Sequence, residues 1–552
     1  MFSRHSPLLQ VSFHRDRPIM PSRFYTLVAV LFVFIASLVL EFFFKAPWVT
    51  WPIIVMSGLL SLVGLRDITQ TKQAIRRNYP ILAHFRFLFE YVRPEIRQYF
   101  IESENEAHPF SRASRSLVYQ RAKKDSDKRP FGTQLDVYET GYEWMNHSIS
   151  PAVVPTSDFR IIIGAHTAKP YSASVFNVSA MSFGALSANA IRALNLGAKT
   201  GGFAHDTGEG SISRYHREHG GDLIWELGSG YFGCRTADGK FDPTRFADQA
   251  QDPQVKMVEL KLSQGAKPGH GGVLPGPKVT PEIAEARGVQ VGVDCVSPAK
   301  HSVFSTPIEM LEFIAKMREL SGGKPAGMKL AIGHPWESFA IAKAMVKTGI
   351  TPDFIVVDGS EGGTGAAPVE FTDHVGVPLR EALMLVHNTL VGVGLRERIK
   401  VGASGKIITA FDIAKTMAMG ADWCNSARGF MFALGCIQAQ SCHTGTCPTG
   451  VTTQDALRQR ALVVPSKAER VHQFHHSTLH ALSELIAAAG LTHPEDIKPE
   501  HIIRRISSTE VASLAGLYKF LKPGELLNDT AEHKVFAYYW GKARAESFAM
   551  AS

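Results

Sequence analysis

Three of the six cysteines lie within twelve residues of one another, at Cys436, Cys442 and Cys447, and a proline follows the last one. Thiolates this close together usually ligate an iron–sulfur cluster or zinc. Zinc requires a fourth ligand, which His443 inside the run could supply. A chance meeting of three core cysteines is the plain alternative. A cluster moves single electrons, so the run indicates a redox protein, usually one with a second redox centre.

Glycine-rich segments carry most of the other residues that could do chemistry. Glycines let backbone N–H groups approach a phosphate closely, although one such segment alone also serves an ordinary turn. Each segment falls where a predicted β-strand ends. The segments are Asp206–Gly210, Gln264–Gly276, Gly333–His334, Asp358–Gly365, Gly402–Lys406 and Ala427–Gly429.

Eight β-rich runs alternate with helical segments from about residue 150 onward, which predicts an α/β fold with a closed parallel (β/α)8 barrel of the TIM type. A doubly wound open sheet is the competing arrangement, and it is disfavoured because no GxGxxG segment opens a helix after the first strand. Barrel active sites lie at the carboxyl ends of the strands, where the glycine-rich segments fall. The predicted strands are Val175–Ala180, Gly202–His205, Val255–Leu262, Val289–Cys295, Ala326–Ala331, Asp353–Val357, Ile399–Val401 and Trp423–Asn425.

Lys329 stands among apolar residues inside the fifth predicted strand. A lysine in such a place is rarely buried without a partner. In a flavin-binding barrel it could face the flavin edge where negative charge collects on reduction. The alternative is an ion pair with a carboxylate inside the barrel.

Two apolar stretches near the N-terminus run from Tyr25 to Phe44 and from Ala46 to Leu65. Each has about the 20 residues that span a hydrocarbon core. Basic residues flank both sides, from Arg15, Arg17 and Arg23 before the pair to Arg66 and others after it. The pattern predicts a transmembrane hairpin in the cytoplasmic membrane, with both ends and the large domain in the reducing cytoplasm. A soluble pair of buried helices is the alternative.

The predicted organisation has five parts: a cytoplasmic N-terminal segment, the hairpin, a connector, the barrel, and a helical C-terminal region. The barrel part includes the segment from Cys436 to Cys447, which we call the thiol loop. Their ranges are 1–24, 25–65, 66–150, 151–455 and 456–552. The net charge of +8 is not gathered in one basic tract, so no nucleic-acid partner is expected.

Over roughly residues 150–455 the chain resembles the FMN-binding synthase domain of the glutamate synthase family. The resemblance implies a β/α barrel that holds FMN and one 3Fe–4S cluster, with Cys436, Cys442 and Cys447 as the cluster ligands. The motifs occur in the family's order: SAMSFGALS at 179–187, HDTGEG at 205–210, LGSGYFG at 227–233, QGAKPGHGGVLPGPKV at 264–279, DGSEGGTGA at 358–366 and ALGCIQAQSCHTGTCPTGV at 433–451.

The implied reaction is reductive amination of 2-oxoglutarate with ammonia, with electrons passing from a donor through the cluster to FMN. By the same resemblance Glu209 and Lys267 are the catalytic residues. The substrate-binding positions are Lys261, Arg287 and Val273. The cofactor-binding positions are Ser182, Gln264, Lys329, Asp358, Gly362, Gly363, Thr364, Gly402, Gly405, Ala427 and Arg428.

The chain departs from the family pattern at two positions, with His270 where glutamate is usual and Val273 where glutamine is usual. Valine cannot donate a hydrogen bond, so the substrate could be another 2-oxo acid, an imine or a hydroxy acid. A membrane-docked electron relay without its own substrate is a further alternative. No glutamine-hydrolysing domain and no nicotinamide fingerprint are evident. Ammonia is therefore expected from solution or a separate subunit, and electrons from a donor protein or reductase subunit.

Overall fold

The computed structural model describes residues 22–106, 108–274, 276–528 and 532–551. Most of the predicted N-terminal segment, including Arg15 and Arg17, lies outside the described residues. The chain divides into two compact units, Met1–Ser103 and Glu104–Ser552.

Eight parallel strands close into a barrel within the larger unit, which confirms the predicted fold class. The eighth strand closes the ring by pairing with the first, with Ser426 opposite Val178. Around the ring the strands are Phe176–Val178, His205–Asp206, Leu223–Leu227, Val255–Lys261, Ala326–Leu330, Phe354–Asp358, Lys400–Ser404 and Trp423–Ser426.

One predicted barrel strand is wrong. Val289–Cys295 is not part of the barrel, and only its last residue enters a strand, Cys295–Val296, which pairs antiparallel with Val273–Leu274. The missed barrel strand is Leu223–Leu227. All five of its side chains are buried, including that of Glu226, so its sequence lacks the alternation of a half-buried strand. The two errors cancel in the count, and the fifth to eighth predicted strands keep their places.

Local signals fix where the helices around the barrel begin. The helix Pro307–Leu320 starts after Thr306, whose side chain accepts from the Glu309 N–H while the Glu309 carboxylate accepts from the Thr306 N–H. This reciprocal cap, with proline in the first turn, satisfies N–H groups that have no helical partner. The helices of the larger unit are Arg112–Lys123, Ala188–Gly201, Arg214–Arg217, Pro243–Ala250, Pro281–Arg287, Pro307–Leu320, Pro335–Thr348, Val369–His374, Leu379–Gly392, Ala410–Ala418, Arg428–Leu434, Ala456–Arg460, Val464–Ala488, Leu514–Leu517 and Lys534–Lys542.

The long helix Val464–Ala488 joins the N-terminal part of this unit to the barrel. It packs against Ala188–Gly201, where a Cβ on Gly197 would come within 2.6 Å of Val471. It also packs against Arg112–Lys123, which reaches the thiol loop. Two further sheets lie outside the barrel, with the strands Glu143–Met145, Ile502–Arg505 and Val511–Ser513 in one and Arg160–Ile163 and Tyr171–Ser174 in the other.

The smaller unit is built on a helical hairpin, Tyr25–Phe44 and Pro47–Thr69, followed by the helices Ala74–Asn78 and Leu82–Ile96. Small residues line the contact, since a Cβ on Gly64 would meet Leu27 at 2.4 Å. Glu41, the one charged residue of the first helix, accepts a hydrogen bond from Thr50. Large apolar side chains point outward instead. Only 11% of the apolar window of the first helix and 22% of that of the second are buried.

Candidate active site

A cavity of about 770 Å³ opens at the carboxyl ends of the barrel strands. Its volume lies in the range of about 300–1,000 Å³ that small-molecule and cofactor sites occupy. Most residues singled out from the sequence line it. They are Ser182, Glu209, Lys261, Gln264, Lys267, Arg287, Lys329, Asp358, Gly362, Gly363, Thr364, Gly405, Ala427, Arg428 and Cys442.

Four of the predicted residues have a different place. Gly402 lies inside the seventh strand, where a Cβ would come 2.4 Å from the Trp423 ring, so it serves packing there. Cys436 and Cys447 lie in the thiol loop behind Cys442. The side chain of Val273 lies outside the described part of the chain, although its backbone pairs with Val296.

Lys261, the last residue of the fourth barrel strand, connects three polar side chains. Its ammonium donates to Gln264 Oε1 at 2.8 Å and lies 3.1 Å from Glu209 Oε2. Glu226 Oε1 is 3.8 Å away. Below it, His301 Nε2 contacts the Lys261 carbonyl at 2.8 Å, which fixes the end of the strand. The cluster brings together residues from three strand ends, as a barrel site requires.

Glu209 is held as a carboxylate. Burial raises its pKa, but the ammonium of Lys261, with Arg287 and Lys267, outweighs that effect and leaves the pKa below its ordinary value. Burial lowers the pKa of Lys267, and the neighbouring Lys261 adds to this against the pull of Glu209. The pair therefore offers a stable anion beside an ammonium that releases its proton more easily than a free lysine.

Arg287 is buried on the cavity wall without a carboxylate partner among the described residues. Its Nη2 donates to the Phe183 carbonyl at 3.2 Å and its Nη1 lies 3.6 Å from the Cys295 sulfur. Its Nε makes no hydrogen bond within the described protein. A buried, unpaired charge is costly. The site therefore favours an anionic ligand.

Lys329 forms the ion pair that was the alternative interpretation of its position. Its ammonium lies 2.6 Å from Glu226 Oε2, and both side chains are almost fully buried. Lys329 also lines the cavity. Burial lowers the pKa of Lys329. The charge of Glu226, with those of Asp358, Asp206 and Glu259, outweighs burial and raises this pKa well above its ordinary value. The two interpretations of Lys329 are thus compatible.

Glu226 and Glu259, two of the three acids beneath this lysine, were not predicted as site residues, and Asp206 was named only as the start of a glycine-rich segment. Asp206, Glu226 and Glu259 are buried on the second, third and fourth strands, and their oxygens lie within 4.8 Å of one another. Burial, then the charge of Glu226, raises the pKa of Asp206 to about 7. Burial, then Asp206, raises the pKa of Glu259 well above its ordinary value. The Lys329 ammonium, 2.6 Å from Glu226, compensates this group, and the Lys261 ammonium, 3.8 Å from Glu226, adds to it.

The sequence signal for these acids is a carboxylate inside an otherwise apolar strand. Glu226 stands in Leu-Ile-Trp-Glu-Leu just as Lys329 stands in Gly-Met-Lys-Leu. Two buried charges of opposite sign in parallel strands could have been matched to each other.

The glycine loops at the sixth and seventh strand ends form a cradle for a phosphate-bearing group. A Cβ on Gly363 would come 3.3 Å from the Arg428 guanidinium, and one on Gly405 would come 3.1 Å from Leu379. Arg428 itself donates to the Thr364 carbonyl at 3.3 Å. Backbone N–H groups free of side chains, beside Arg428 and Lys406, suit a phosphate. These residues fit FMN.

The thiol loop lies next to this cradle, because a Cβ on Gly365 would be 3.9 Å from that of Cys442. Tyr119 donates to the Cys436 carbonyl at 2.6 Å, and the Gln438 N–H lies 3.5 Å from the Cys436 sulfur. Burial raises the pKa of Cys436 to about 11. Burial also raises the pKa of Cys447, but polar groups of Thr449 and Thr452 outweigh it and lower the pKa to about 7.

The loop does not have the geometry of a single-ion site. Zinc holds thiolates at about 2.3 Å, which puts the sulfurs of a tetrahedral site roughly 4 Å apart. Within the described residues, one group of three or more His, Cys, Asp or Glu side chains has all its ligand atoms within 4.8 Å of one another. That group is the carboxylate group described above, not the three cysteines. Cysteine thiolates are the usual ligands of iron–sulfur clusters, so the loop could hold one.

The comparisons with known proteins agree on one family. A family model described as the conserved region in glutamate synthase matches residues 135–492. The glutamate synthase large subunit-like protein YerD of Bacillus subtilis (strain 168) is 38% identical over 500 residues, covering 83% of this chain and 95% of that protein.

More distant relatives match over a shorter part of the chain. The archaeal-type glutamate synthase (NADPH) of Thermotoga neapolitana is 35% identical over 321 residues, covering 58% of this chain and 60% of that protein. The glutamate synthase (NADPH) large chain of Bacillus subtilis is 31% identical over 344 residues, which is 59% of this chain and 21% of that protein.

Proposed function

This chain belongs to the glutamate synthase family, whose members are oxidoreductases acting on the CH–NH2 group of donors, and from this premise we propose that it reductively aminates a 2-oxo acid, 2-oxoglutarate first of all. The observation that carries the proposal is Arg287, which is buried on the wall of the cavity that Lys267 and Glu209 also line and forms no ion pair within 4.0 Å among the described residues. A dicarboxylate needs two cations, and Arg287 and Lys267 supply them.

The reaction takes up 2-oxoglutarate, ammonia, two electrons and two protons and releases glutamate and water. Bound FMN would supply a hydride, and a cluster on the thiol loop would supply single electrons. Glu209, kept ionised by Lys261, would stabilise the protonated imine that accepts the hydride. Lys267, whose pKa lies below its ordinary value, is suited to exchange a proton with the substrate.

The cofactors belong to the proposal as well. FMN would lie with its phosphate in the glycine cradle beside Arg428 and its ring near Gln264 and Lys329. A 3Fe–4S cluster would take Cys436, Cys442 and Cys447, with Cys442 already on the cavity wall. Asp358 has a supporting place there, since its Oδ2 accepts from the Gly265 N–H at 2.8 Å.

Electrons and ammonia would reach this chain from partners. Two relatives are named for NADPH, yet no dinucleotide fingerprint follows a strand here. A reductase subunit or another electron-donor protein would therefore deliver electrons to the thiol loop. Ammonia would come from solution or from a separate ammonia-supplying subunit.

We also propose that the hairpin anchors the protein in the cytoplasmic membrane, with residues 104–551 in the cytoplasm. Outward-facing apolar side chains on both hairpin helices support this, because buried helices of a soluble pair would hide them. Trp48 and Trp51 at the turn suit the far membrane interface. The predicted domain ranges 25–65, 66–150, 151–455 and 456–552 stay proposals beside the two structural units.

Arg287→Gln tests the proposed function in the full chain, purified in detergent, with cofactors assayed and dithionite as reductant. Losing a charged hydrogen-bond donor costs about 1.5–3 kcal/mol, so we expect the KM for 2-oxoglutarate to rise roughly 10- to 150-fold. The matched control is Arg235→Gln. Both guanidiniums lie over the Phe232 ring, at 5.2 and 5.6 Å, but only Arg287 lines the cavity.

Failure to form glutamate by protein with full flavin and iron content would contradict the 2-oxoglutarate assignment. A screen of other 2-oxo acids on the same sample then decides the second candidate, a less polar 2-oxo acid, which Val273 favours. Turnover of none of them would leave the electron-relay alternative.

A further inference from the structure

An apolar stripe runs along the helix Leu82–Ile96 and its extension Arg97–Ile101. Spacings of three and four residues put its side chains on one helix face. All of them are exposed, from 38% at Ile96 to 85% at Phe100. The stripe consists of Leu82, Phe85, Leu88, Phe89, Ile96 and Phe100.

The rest of the helix surface is polar or faces the small unit. Arg86, Arg93 and Arg97 follow one edge of the stripe, and Ala83 on the far side is buried. Residues 66–101 contain seven Arg or Lys against three Asp or Glu. An exposed apolar face with a basic edge is typical of a helix that lies in a membrane surface, where arginine stems run along the apolar layer and the heads reach lipid phosphates.

The start of this helix is tied to the end of the hairpin. Asp67, in the last turn of Pro47–Thr69, accepts a hydrogen bond from the Ile81 N–H at 3.0 Å and contacts His84 Nε2 at 2.9 Å. A Cβ on Gly64 would come 3.2 Å from the Ile81 side chain. The stripe therefore begins at the level where the second hairpin helix ends.

We propose that Leu82–Phe100 is an interfacial helix whose apolar stripe inserts into the cytoplasmic leaflet and whose arginines bind anionic lipid headgroups. The inference rests on the proposed hairpin anchor and extends it. Exposed apolar side chains cover both hairpin helices as well as the stripe, and the excess of basic residues matches an anionic surface, so lipid is the occupant that these observations favour. If this helix lay in solvent instead, its six large apolar side chains would be exposed to water.

Photo-cross-linking in vesicles tests the position of the stripe. The full chain is reconstituted in phosphatidylcholine–phosphatidylglycerol vesicles that contain a phospholipid with a diazirine in its acyl chain. We expect lipid adducts on Phe85, Leu88 and Phe89. Tyr91 is the internal control, since it is 80% exposed on the same helix but lies outside the stripe, and we expect no adduct there.

A matched pair of variants tests the energetic role of the stripe. Burying a phenylalanine side chain is worth enough to shift a two-state equilibrium by about one to two powers of ten. Phe89→Asp should therefore raise the rate of tryptic cleavage at Arg86 and Arg97 in vesicles roughly tenfold or more. Tyr91→Asp should leave that rate unchanged.

The outcomes separate the two proposals. Full-length protein that does not float with vesicles overturns the anchor and the interfacial helix together. Protein that floats with adducts only within residues 25–69 overturns the interfacial helix alone. Cross-links from the stripe to a second copy or to residues 104–551 would overturn it as well, in favour of a protein partner.

Discussion

Lys329 is the residue on which the barrel interior depends electrostatically. It is the cation nearest to Glu226, and Asp206, Glu259 and Asp358 also act on it. Removing one member of a buried pair leaves an uncompensated charge and costs about 3–5 kcal/mol. We expect Lys329→Met to lower the free energy of unfolding of the full chain by an amount in that range, measured by urea denaturation followed by tryptophan fluorescence in detergent.

Glu226→Gln and the double variant serve as its controls. Glu226→Gln should cost less than Lys329→Met, because the lysine keeps other acids nearby. Combining the two should recover part of the loss, since an apolar and a neutral side chain then replace a buried ion pair. Equal, additive losses would contradict the coupling between the two residues.

Asp206 gives the barrel interior a characteristic pH dependence. Its pKa rises to about 7 through burial and the charge of Glu226, whereas an unfolded aspartate titrates near its ordinary 3.8. Between about pH 4 and pH 7 the folded state therefore keeps a proton on Asp206 that the unfolded chain has lost. The stability that comes from this difference in proton binding is full below about pH 4 and is lost as the pH rises towards 7.

Asp206→Asn should flatten this part of the pH profile of stability. The measurement is the urea midpoint from pH 4.5 to 7.5, with the exposed Asp248→Asn as the control. An unchanged slope in Asp206→Asn would show that Asp206 is ionised throughout the folded state.

Substitution of Val273 tests which 2-oxo acid the site prefers. The strand of Val273 pairs with Cys295–Val296, and Cys295 contacts Arg287, so position 273 lies one strand away from Arg287. A hydrogen bond to a charged oxygen is worth about 1.5–3 kcal/mol, or roughly 10- to 150-fold in affinity. Val273→Gln should lower the KM for 2-oxoglutarate within that range, with flavin and iron content unchanged. Tight binding by the unmodified protein and no change in KM would remove position 273 from substrate selection.

At the scale of elements, the thiol loop makes the most specific prediction, because it is the proposed site of the iron–sulfur cluster. Tyr119 donates a hydrogen bond to its Cys436 carbonyl, and Gly365 lies close to its Cys442. Replacing Cys436, Cys442 or Cys447 singly with serine should abolish the EPR signal of the oxidised 3Fe–4S cluster. Cys234→Ala, a buried thiol elsewhere, is the control that should retain it. A signal that survives all three serine variants would remove the loop as the cluster site.

The sequence predicted those elements whose residues alternate or repeat, and missed those defined by burial alone. Local signals mark the start of helix Pro307–Leu320, namely a threonine cap and a proline in the first turn. The strand Leu223–Leu227 was not predicted, because five buried side chains give no period. Glu226 was missed for the same reason, because it lies in a strand without a period. Only the ring of strands brings it together with Asp206 and Glu259.

For the molecule as a whole, the consequential feature is the boundary between the proposed anchor and the unit that contains the barrel. The contact pattern divides the chain after Ser103, whereas apolar composition alone placed the end of the hairpin at residue 65. The difference arises because the helix Leu82–Ile96 is amphipathic. Its mean composition resembles a polar connector, and only its exposed stripe relates it to the hairpin.

Deletion of the anchor tests this division. The full chain should stay in the membrane fraction through a high-salt wash, because two apolar spans hold it irrespective of ionic strength. Deleting residues 1–66 should release the protein in high salt, since one interfacial helix with a basic edge binds partly through screened charges. Deleting residues 1–103 should release it at low salt too, and residues 104–551 should keep flavin and iron because the whole cavity lies within them. Full-length protein that is soluble without detergent would contradict the anchor. Loss of cofactors from the longer deletion alone would instead show that the small unit supports the fold of the large one.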